Sequence, residues 1–337
     1  MNNKIDFVVT WVDGNDPNWL KEKNMFDVGK EETDISENRY RDWGLLKYWF
    51  RGVEKFAPWV NKIYFITWGH IPSWLNINNP KLVIINHKDY IPKEYLPTFN
   101  SNVIELNVNR IKELSENFVL FNDDMYLIND TKETDFFENN IPCDSVALSV
   151  HCPQKSMIIQ NISLNNAGII NEHFNFKECL KNDKKIWYSL KNGKGLMRTL
   201  VLKNCPRFPG FMINHISGSY NKSTFNEVWE KEPQVLKETS THKFRQANEV
   251  NHWLMKEWQI ASGKVVNQSR NFGKAFFIRE ESTEQIGKDI IDYIKNQRVK
   301  EICINDGQLT GKKFNKLVKE IIQAFENILP DKSSFEN

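Results

Sequence analysis

Four short β-branched runs, separated by helical patterns, limit most strongly what this chain can fold into. Polar or turn residues bound each run, as is typical of strands; the runs are residues 5–12, 63–67, 82–85 and 118–121. Between them, apolar residues recur at three- and four-residue steps over 45–56 and 104–114, which is the spacing of an amphipathic helix. Strands that alternate with helices predict an α/β fold with a largely parallel sheet.

Polar residues follow several of these predicted strands at the point where each strand ends. Residues 13–16 (DGND) follow the first strand, His87 follows the third, and Asn122-Asp123-Asp124 follows the fourth. Ligands of open parallel sheets bind outside the carboxyl ends of the strands. The sequence therefore predicts a binding site at this edge of the sheet.

Composition and charge narrow the class of protein. The chain has 337 residues, 40% of them hydrophobic, which is enough for one large domain or two; we expect a single domain over residues 1–330. Its 45 Lys and Arg against 43 Asp and Glu leave a charge of +2, which is too balanced for duplex nucleic-acid binding, so no nucleic-acid partner is expected. The five cysteines include no CxxC pair, which argues against a disulfide framework and a zinc knuckle. Without a secretory signal or a spanning segment, the chain is predicted to be cytoplasmic.

The remaining segments give weaker signals. Residues 151–240 are irregular by pattern, and no topology is assigned to them. Residues 312–329 form an amphipathic helix with lysines on its polar side. That helix either packs on the core or lies on a membrane surface, and the pattern leaves both open. Residues 331–337 are predicted to be a frayed tail.

Asn122-Asp123-Asp124 is the sharpest local motif. Adjacent carboxylates on a turn after a buried strand can supply the hard oxygen ligands of a divalent cation, which then bridges a diphosphate. An isolated Asp-Asp pair is more often a solvated turn or a helix cap. The position of this pair after a strand end favours metal binding.

Two further clusters each have two interpretations. Trp11 and Asp13 either close the first strand with an Asx turn or present an aromatic face and a carboxylate to a nucleotide. Arg39 and Arg41 precede the first helix and would suit a phosphate clamp, although an ion pair with Asp42 is the simpler interpretation.

Other familiar motifs are missing from the sequence, which contains no HExxH, no GxGxxG and no Walker loop. A zinc hydrolase and the commonest nucleotide-binding loops are therefore disfavoured. His151 follows the apolar stretch 146–150 and, taken alone, is most simply a structural histidine.

Taken together, the clusters resemble the conserved blocks of the Stealth proteins. Residues 5–17 (IDFVVTWVDGNDP) are similar to the first block of that family. The second block is similar to a longer stretch, which includes Arg39-Tyr40-Arg41-Asp42, 57–60 (APWV), 71–75 (IPSWL), 96–101 (LPTFNS) and 121–124 (FNDD). The third resembles His151-Cys152-Pro153 with His242-Lys243-Phe244-Arg245, and the fourth resembles Cys303-Ile304-Asn305-Asp306. The four blocks occur in the family's order over nearly the whole chain.

The resemblance implies a Rossmann-like catalytic fold and a role in capsule or cell-surface polysaccharide synthesis, in a family whose animal relative is the lysosomal-enzyme GlcNAc-1-phosphotransferase. It implies a UDP-hexose or UDP-HexNAc donor, a Mg²⁺ or Mn²⁺ requirement, and transfer of the sugar-1-phosphate to a glycan hydroxyl with release of UMP. Residues 1–150 and about 240–310 would then form the nucleotide-sugar and metal core, and 151–240 would form an insertion on the acceptor side. A lipid-linked acceptor would place the chain at the inner membrane face.

Roles for individual residues follow from the demands of phosphoryl transfer on this assignment. We expect Asp123 and Asp124 to bind the cation, with Asn305 and Asp306 as further ligands. Arg41 and Arg245 would clamp the diphosphate, and His151 would be the general base, with Asp42 as the competing candidate. The donor-binding set would be completed by Trp11, Asp13 and Asp16 at the uridine end, by Asn102 near the donor sugar, and by Val12, Gly14 and Arg39.

Two other functions are compatible with the sequence. One is a metal-dependent glycosyltransferase with the same donor, in which the hydroxyl attacks the anomeric carbon and UDP leaves. The other is a non-catalytic glycan-binding protein that uses Trp253 and Trp258 as sugar platforms; at their spacing, burial in the core is the simpler interpretation of these two residues.

Overall fold

A five-stranded sheet forms the centre of the computed structural model, which describes residues 4–27, 40–280, 283–307, 309 and 311–337. Its strand order is β3-β2-β1-β4-β8, and neighbouring strands run parallel except at the β4–β8 pair. The strands are β1 (Ile5–Thr10), β2 (Ile63–Thr67), β3 (Leu82–Asn86), β4 (Asn117–Asn122) and β8 (Gly218–Asn221). All four predicted strands are present, and the α/β, Rossmann-like, mostly parallel sheet is confirmed.

The central strands are buried on both faces, which explains their continuous apolar sequences. Phe7, Val8 and Val9 of β1 are completely buried. Because side chains alternate across a strand, Phe7 and Val9 join one hydrophobic cluster, and Val8 joins a second cluster on the other face. Helices cover both faces, so the carboxyl ends of β1 and β4 remain as the open edge for a ligand.

Two three-stranded sheets flank the central one. One has the order β10-β11-β5 and the other the order β6-β7-β9. Their strands are β5 (Met125–Leu127), β6 (Phe137–Glu138), β7 (Ile141–Asp144), β9 (Val266–Asn267), β10 (Gly273–Phe277) and β11 (Glu301–Asn305). β11 pairs antiparallel with β5, with Cys303 opposite Met125. Since β5 directly follows the turn at 123–124, this pairing brings residues 303–306 to that turn.

Thirteen helices are present among the described residues. They are α1 (Pro17–Phe26), α2 (Leu46–Phe56), α3 (His87–Tyr90), α4 (Ser101–Leu106), α5 (Ile158–His173), α6 (Phe176–Asn182), α7 (Lys184–Trp187), α8 (Lys194–Leu202), α9 (Lys222–Lys231), α10 (Pro233–Thr241), α11 (Trp253–Ala261), α12 (Thr283–Lys295) and α13 (Gly311–Ile328). None of these described helices is long and apolar enough to cross a membrane.

The two helices expected in the first half differ in outcome. The pattern over 45–56 is confirmed as α2, whereas the pattern over 104–114 gives only the short α4 and a single 3₁₀ turn at Val108–Arg110. The Asn107 side chain donates to the Val103 carbonyl, the acceptor that a continuing helix would use for a backbone N–H. This competition ends the helix, as asparagine side chains often do.

The segment 151–240, which showed no pattern, is largely helical. It contains helices α5 to α10 and one strand, β8. The sequence pattern alone did not predict these helices. Apart from α5, they are short, and several begin at Asn or Pro, such as α6 after Asn175 and α10 at Pro233. Such helices carry too few turns for a periodic apolar pattern to stand out.

The C-terminal prediction was right for the helix and wrong for the tail. The apolar side of α13, including Leu317, Ile321 and Phe325, is buried in the core, so that side is not available to a membrane. After the helix, Phe335 is 2% exposed and Glu336 accepts two hydrogen bonds from the buried Arg51 guanidinium. The tail is held because Arg51 lies inside α2 and requires this partner.

Candidate active site

A cavity of about 890 Å³ opens at the carboxyl ends of β1 and β4. It is lined by segments that lie far apart in the sequence, including most of the predicted site residues: Trp11, Val12, Arg41, Asp42, Asn102, Asp123, Asp124, His151, Arg245, Asn305 and Asp306. The 122–124 turn and Arg245 therefore share one cavity. The cavity lies at the edge of the sheet where the ends of the predicted strands meet.

Asp13 and Asp16 of the predicted donor-binding set are not part of the cavity lining and have local structural partners. Asp16 caps α1 by accepting from the backbone N–H groups of Asn18 and Trp19. The Asp13 carboxylate accepts from the Asn15 N–H, as an Asx turn does, and its own N–H donates to His70. These carboxylates shape the end of β1 rather than facing the cavity.

Two further members of that set need separate mention. A Cβ atom on Gly14 would lie 1.9 Å from the Tyr40 carbonyl oxygen, so no larger residue fits this approach of the two loops. Arg39 lies outside the described residues.

Trp11 reaches the cavity from a packed position. It is 7% exposed, its ring stacks on Phe65 at 5.7 Å, and the His70 ring meets it edge-on at 5.1 Å. The indole therefore forms part of a fixed wall, with Val12 following it in the lining.

The Asp123-Asp124 turn is held by two layers of structure. It links β4 to β5, and the Asp124 carbonyl accepts from the Ile304 N–H at 2.8 Å. The Asp124 Oδ2 atom accepts from the Cys303 thiol at 3.3 Å. The Asp124 Oδ1 atom is buried and has no hydrogen-bond partner among the residues described. A buried carboxylate oxygen in this condition is well suited to a cation.

Negative charge accumulates around this turn. Burial, with the neighbouring Asp124 and Asp42 carboxylates, raises the pKa of Asp123 to about 8. Burial and the nearby Asp13 also raise the pKa of Asp42, against the opposing effect of a hydrogen bond from the Gly44 N–H. The carboxylates repel one another in this arrangement, and a bound cation would relieve that repulsion.

One group of side chains fits a cation by position. Ligand atoms of Asp124, His215 and Cys303 lie within 4.8 Å of one another, and His215 Nε2 is 4.0 Å from Asp124 Oδ2. Burial raises the pKa of Cys303 well above its usual range, so this residue remains a thiol that donates to Asp124. The available metal ligands are therefore a carboxylate and an imidazole, and these suit Mg²⁺ or Mn²⁺ better than a thiolate site would.

His215 was missed by sequence reasoning. It stands in an irregular segment before β8, and no periodicity or motif marks it. Asn305, which was proposed as a ligand, lies beside it, with 3.3 Å between Asn305 Nδ2 and His215 Nε2.

Arg41 and Asp306, which were expected to bind phosphate and metal separately, bind each other. Arg41 donates to Asp306 from Nε at 2.8 Å and from Nη2 at 2.6 Å. The Trp43 indole N–H also donates to this carboxylate, and Arg41 Nη1 donates to the Leu309 carbonyl. This bidentate pair fastens the loop before α2 to the end of β11.

The Arg245 side of the cavity rests on a buried carboxylate. Arg245 Nη2 donates to the Ser101 hydroxyl at the start of α4. Next to it, Glu249 is completely buried and accepts from the side-chain amides of Asn100 and Asn102. The Asn102 amide is therefore fixed by Glu249, although the residue still lines the cavity.

His151 lines the cavity with a ring that is partly enclosed. Burial lowers the pKa of His151 below its usual range, and the Nε2 atom has no hydrogen-bond partner in the described part of the chain. Gly210, with φ of +130°, packs against the ring, since a Cβ there would be 2.1 Å from His151 Cδ2. The imidazole is thus held neutral, with one nitrogen unpaired.

The two tryptophans of the glycan-binding hypothesis are not equivalent. Trp258 is 3% exposed and donates to Glu227, so it belongs to the core. Trp253 lines the cavity, with its ring 6.0 Å from that of His215.

Comparison with known proteins decides the family. Residues 3–28 match the model of Stealth protein CR1, conserved region 1, and residues 39–144 match that of Stealth protein CR2, conserved region 2. The chain is 47% identical to the capsular polysaccharide phosphotransferase WcwK of Streptococcus pneumoniae over 99% of this chain and 98% of that protein. This chain belongs to the Stealth family of phosphotransferases.

Other relatives also match over nearly their whole length. The receptor polysaccharide phosphotransferase WefC of Streptococcus oralis is 42% identical, with 99% of each chain covered. The exopolysaccharide phosphotransferase cps2G of Lactiplantibacillus plantarum is 37% identical, with 98% of this chain and 96% of that protein covered.

Proposed function

We propose that this Stealth protein transfers a sugar-1-phosphate from a UDP-hexose or UDP-HexNAc to a hydroxyl of a glycan acceptor in capsular or cell-surface polysaccharide synthesis. The hydroxyl oxygen attacks the β-phosphorus, a phosphodiester forms, and UMP leaves. The observation that carries the proposal is the shared cavity of the 122–124 turn and Arg245. The names of the relatives, all polysaccharide phosphotransferases, support phosphoryl rather than glycosyl transfer.

The acidic side of the cavity would hold Mg²⁺ or Mn²⁺. Asp123 and Asp124 are the proposed carboxylate ligands, and the unpartnered Asp124 Oδ1 is the support for this choice. His215 and Asn305 stand next to them as further donors. A bound cation would neutralise the oxygens of the transferred phosphoryl group. Asp306 is proposed to act indirectly, because its carboxylate is bonded to Arg41 and Trp43.

The basic side would bind the diphosphate. Arg245 is anchored on Ser101 and lines the cavity, so its guanidinium is oriented before a donor arrives. Arg41 is proposed to stabilise the cavity through its bidentate bond to Asp306. Its positive charge would lie at the edge of the cavity. Trp11 and Val12 would contact the uridine, and Asn102 would lie near the donor sugar.

His151 is the proposed general base. A base must hold an unprotonated nitrogen near the acceptor hydroxyl; His151 lines the cavity, and its buried Nε2 atom has no hydrogen-bond partner among the described residues. Asp42 remains the alternative, since it lines the same cavity. His151 is favoured because the Asp42 carboxylate already accepts the Gly44 N–H at 2.7 Å.

The released nucleotide tests this function. The protein is incubated with one UDP-sugar at a time, Mg²⁺ and a crude surface glycan, and the nucleotide product is identified by chromatography. Release of UMP supports the proposal, and release of UDP would show a glycosyltransferase. Failure to turn over any donor with either Mg²⁺ or Mn²⁺ would favour a non-catalytic glycan-binding protein.

A matched pair of variants tests the cation site. Asp124→Asn should abolish transfer, because it removes charge where a buried oxygen has no hydrogen-bond partner among the described residues. Asp130→Asn is the control, since Asp130 is exposed and does not line the cavity. Full activity of Asp124→Asn would eliminate the assignment.

A further inference from the structure

Helix α8 exposes an apolar surface that the proposed reaction does not use. Its protein-facing side carries the buried residues Gly195 and Thr199, and Leu196 and Leu202 are half-buried. Its solvent-facing side carries Met197 and Val201, which are 64% and 74% exposed, with Leu200 at 39%. Surface helices normally turn apolar residues inward, so this arrangement needs an explanation.

The orientation of the helix is fixed by close packing. A Cβ on Gly195 would lie 2.6 Å from the Ala147 Cβ, so the backbone of α8 lies directly against that residue. A helix turned by half a revolution would place Met197 in this contact, where no room exists. The apolar residues are thus held in solvent by the fold itself. Leu190, which is 86% exposed, lies in the 3₁₀ turn that precedes α8 and adds to them.

The charge around this helix is strongly one-sided. Residues 184–226 contain eight Lys and Arg and no Asp or Glu, in a chain whose overall charge is only +2. Lys191, Lys194 and Lys203 are exposed and lie among or next to the apolar residues of α8. Apolar side chains surrounded by lysines match an anionic lipid surface, where the apolar groups enter the acyl boundary and the lysines meet phosphate.

The α8 helix also reaches the cavity. Arg198 of this helix lines it, and so does Val150, which is 54% exposed. A surface that contacts α8 therefore lies close to the opening of the cavity.

We propose that the α8 face, defined as Leu190, Lys191, Lys194, Met197, Leu200, Val201 and Lys203, docks on an anionic phospholipid bilayer. This attachment goes beyond the transfer reaction and does not depend on it. It would hold the cavity beside the membrane, within reach of glycans linked to lipid. The face differs from α13, whose lysines are exposed but whose apolar side is buried in the core.

Vesicle flotation of the full chain tests the proposal. We expect binding to vesicles of phosphatidylcholine with phosphatidylglycerol, weaker binding as salt is added, and little binding to phosphatidylcholine alone. Met197→Ser/Val201→Ser should lower the partition coefficient about tenfold or more, because two apolar side chains no longer enter the bilayer. Lys191→Gln/Lys194→Gln/Lys203→Gln should lower it as well.

Matched controls come from elsewhere on the surface. Ile77→Ser changes another exposed apolar residue, which is 54% exposed, and Lys312→Gln/Lys313→Gln/Lys316→Gln removes three exposed lysines of α13. Both variants should bind vesicles as the unaltered chain does. Circular dichroism verifies that each variant is folded.

Three results would overturn the proposal. The first is no binding to the anionic vesicles, and the second is equal loss in the α8 and α13 variants. The third is a dimer, seen by light scattering, that Met197→Ser/Val201→Ser dissociates, since the occupant of the face would then be a second copy of the chain. Because vesicle binding needs no donor or acceptor, none of these results depends on the proposed transfer reaction.

Discussion

Replacing Glu301 should show how strongly a buried carboxylate fixes the loop that carries His215. Glu301 opens β11 and is completely buried. It accepts two hydrogen bonds from Ser217, one from the backbone N–H and one from the hydroxyl, each of 2.6 Å. Ser217 follows His215 by two residues, so this pair anchors the histidine beside Asp124.

The expected cost follows from counting the donors left without an acceptor. Glu301→Ala strands two buried donors at roughly 1–3 kcal/mol each, so it should lower the free energy of unfolding by about 2–6 kcal/mol. Glu301→Gln retains one acceptor oxygen and should cost about half as much. Ser217→Ala removes one donor and leaves the backbone bond, so it should cost only about 0.5–1.5 kcal/mol.

Urea denaturation of the three variants measures these values at about pH 5, where the folded Glu301 carboxyl is mostly neutral because burial raises its pKa to about 7, so that little cost of buried charge enters the comparison. The double variant Glu301→Ala/Ser217→Ala should lose less stability than the sum of the single variants, because the two residues share their interaction. A Glu301→Ala protein destabilised by less than about 1 kcal/mol would refute the reasoning. So would a Ser217→Ala protein as unstable as Glu301→Ala.

Three further predictions concern other parts of the structure. Phe335→Ala should lower the free energy of unfolding by about 3–5 kcal/mol, since Phe335 is 2% exposed and packs on Phe50; an unchanged melting temperature would mean that the tail is not packed. Arg41→Lys should lose stability by about 1–3 kcal/mol because an ammonium cannot reproduce the two-pronged bond to Asp306, and a double-mutant cycle with Asp306→Asn that shows no coupling would contradict the pairing. Because burial lowers the pKa of His151, the neutral base persists to lower pH. The acid limb of the pH profile of kcat/KM should therefore lie below about pH 6.5, and it should vanish in His151→Gln. An unchanged limb in that variant would reject His151 as the base.

Local sequence patterns were enough to predict four of the five strands of the central sheet and the Asp123-Asp124 turn. Residues 5–10 and 117–122 are apolar runs buried on both faces, and such runs determine parallel central strands almost by themselves. The helix over 46–56 has one continuous apolar side and was equally predictable from the sequence. A polar turn after a buried strand must then lie at the edge where ligands bind.

Contacts between distant residues were not predictable in the same way. Arg41 and Asp306 are separated by 265 positions, and only the pairing of β11 with β5 brings Asp306 to the loop that carries Arg41. His215 lies in a segment without periodicity, and only its position next to Asp124 marks it as a candidate ligand. The tail was misjudged because burial of Phe335 depends on a partner far away in the sequence.

The fate of the donor's β-phosphorus tests the central claim most directly. A UDP-sugar carrying radioactive phosphorus at the β position is incubated with the protein, Mg²⁺ and the glycan acceptor. If the cavity directs the acceptor hydroxyl at phosphorus, the label moves into the glycan as a phosphodiester and the released UMP carries none. Label that remains in the nucleotide while sugar enters the glycan would contradict this account.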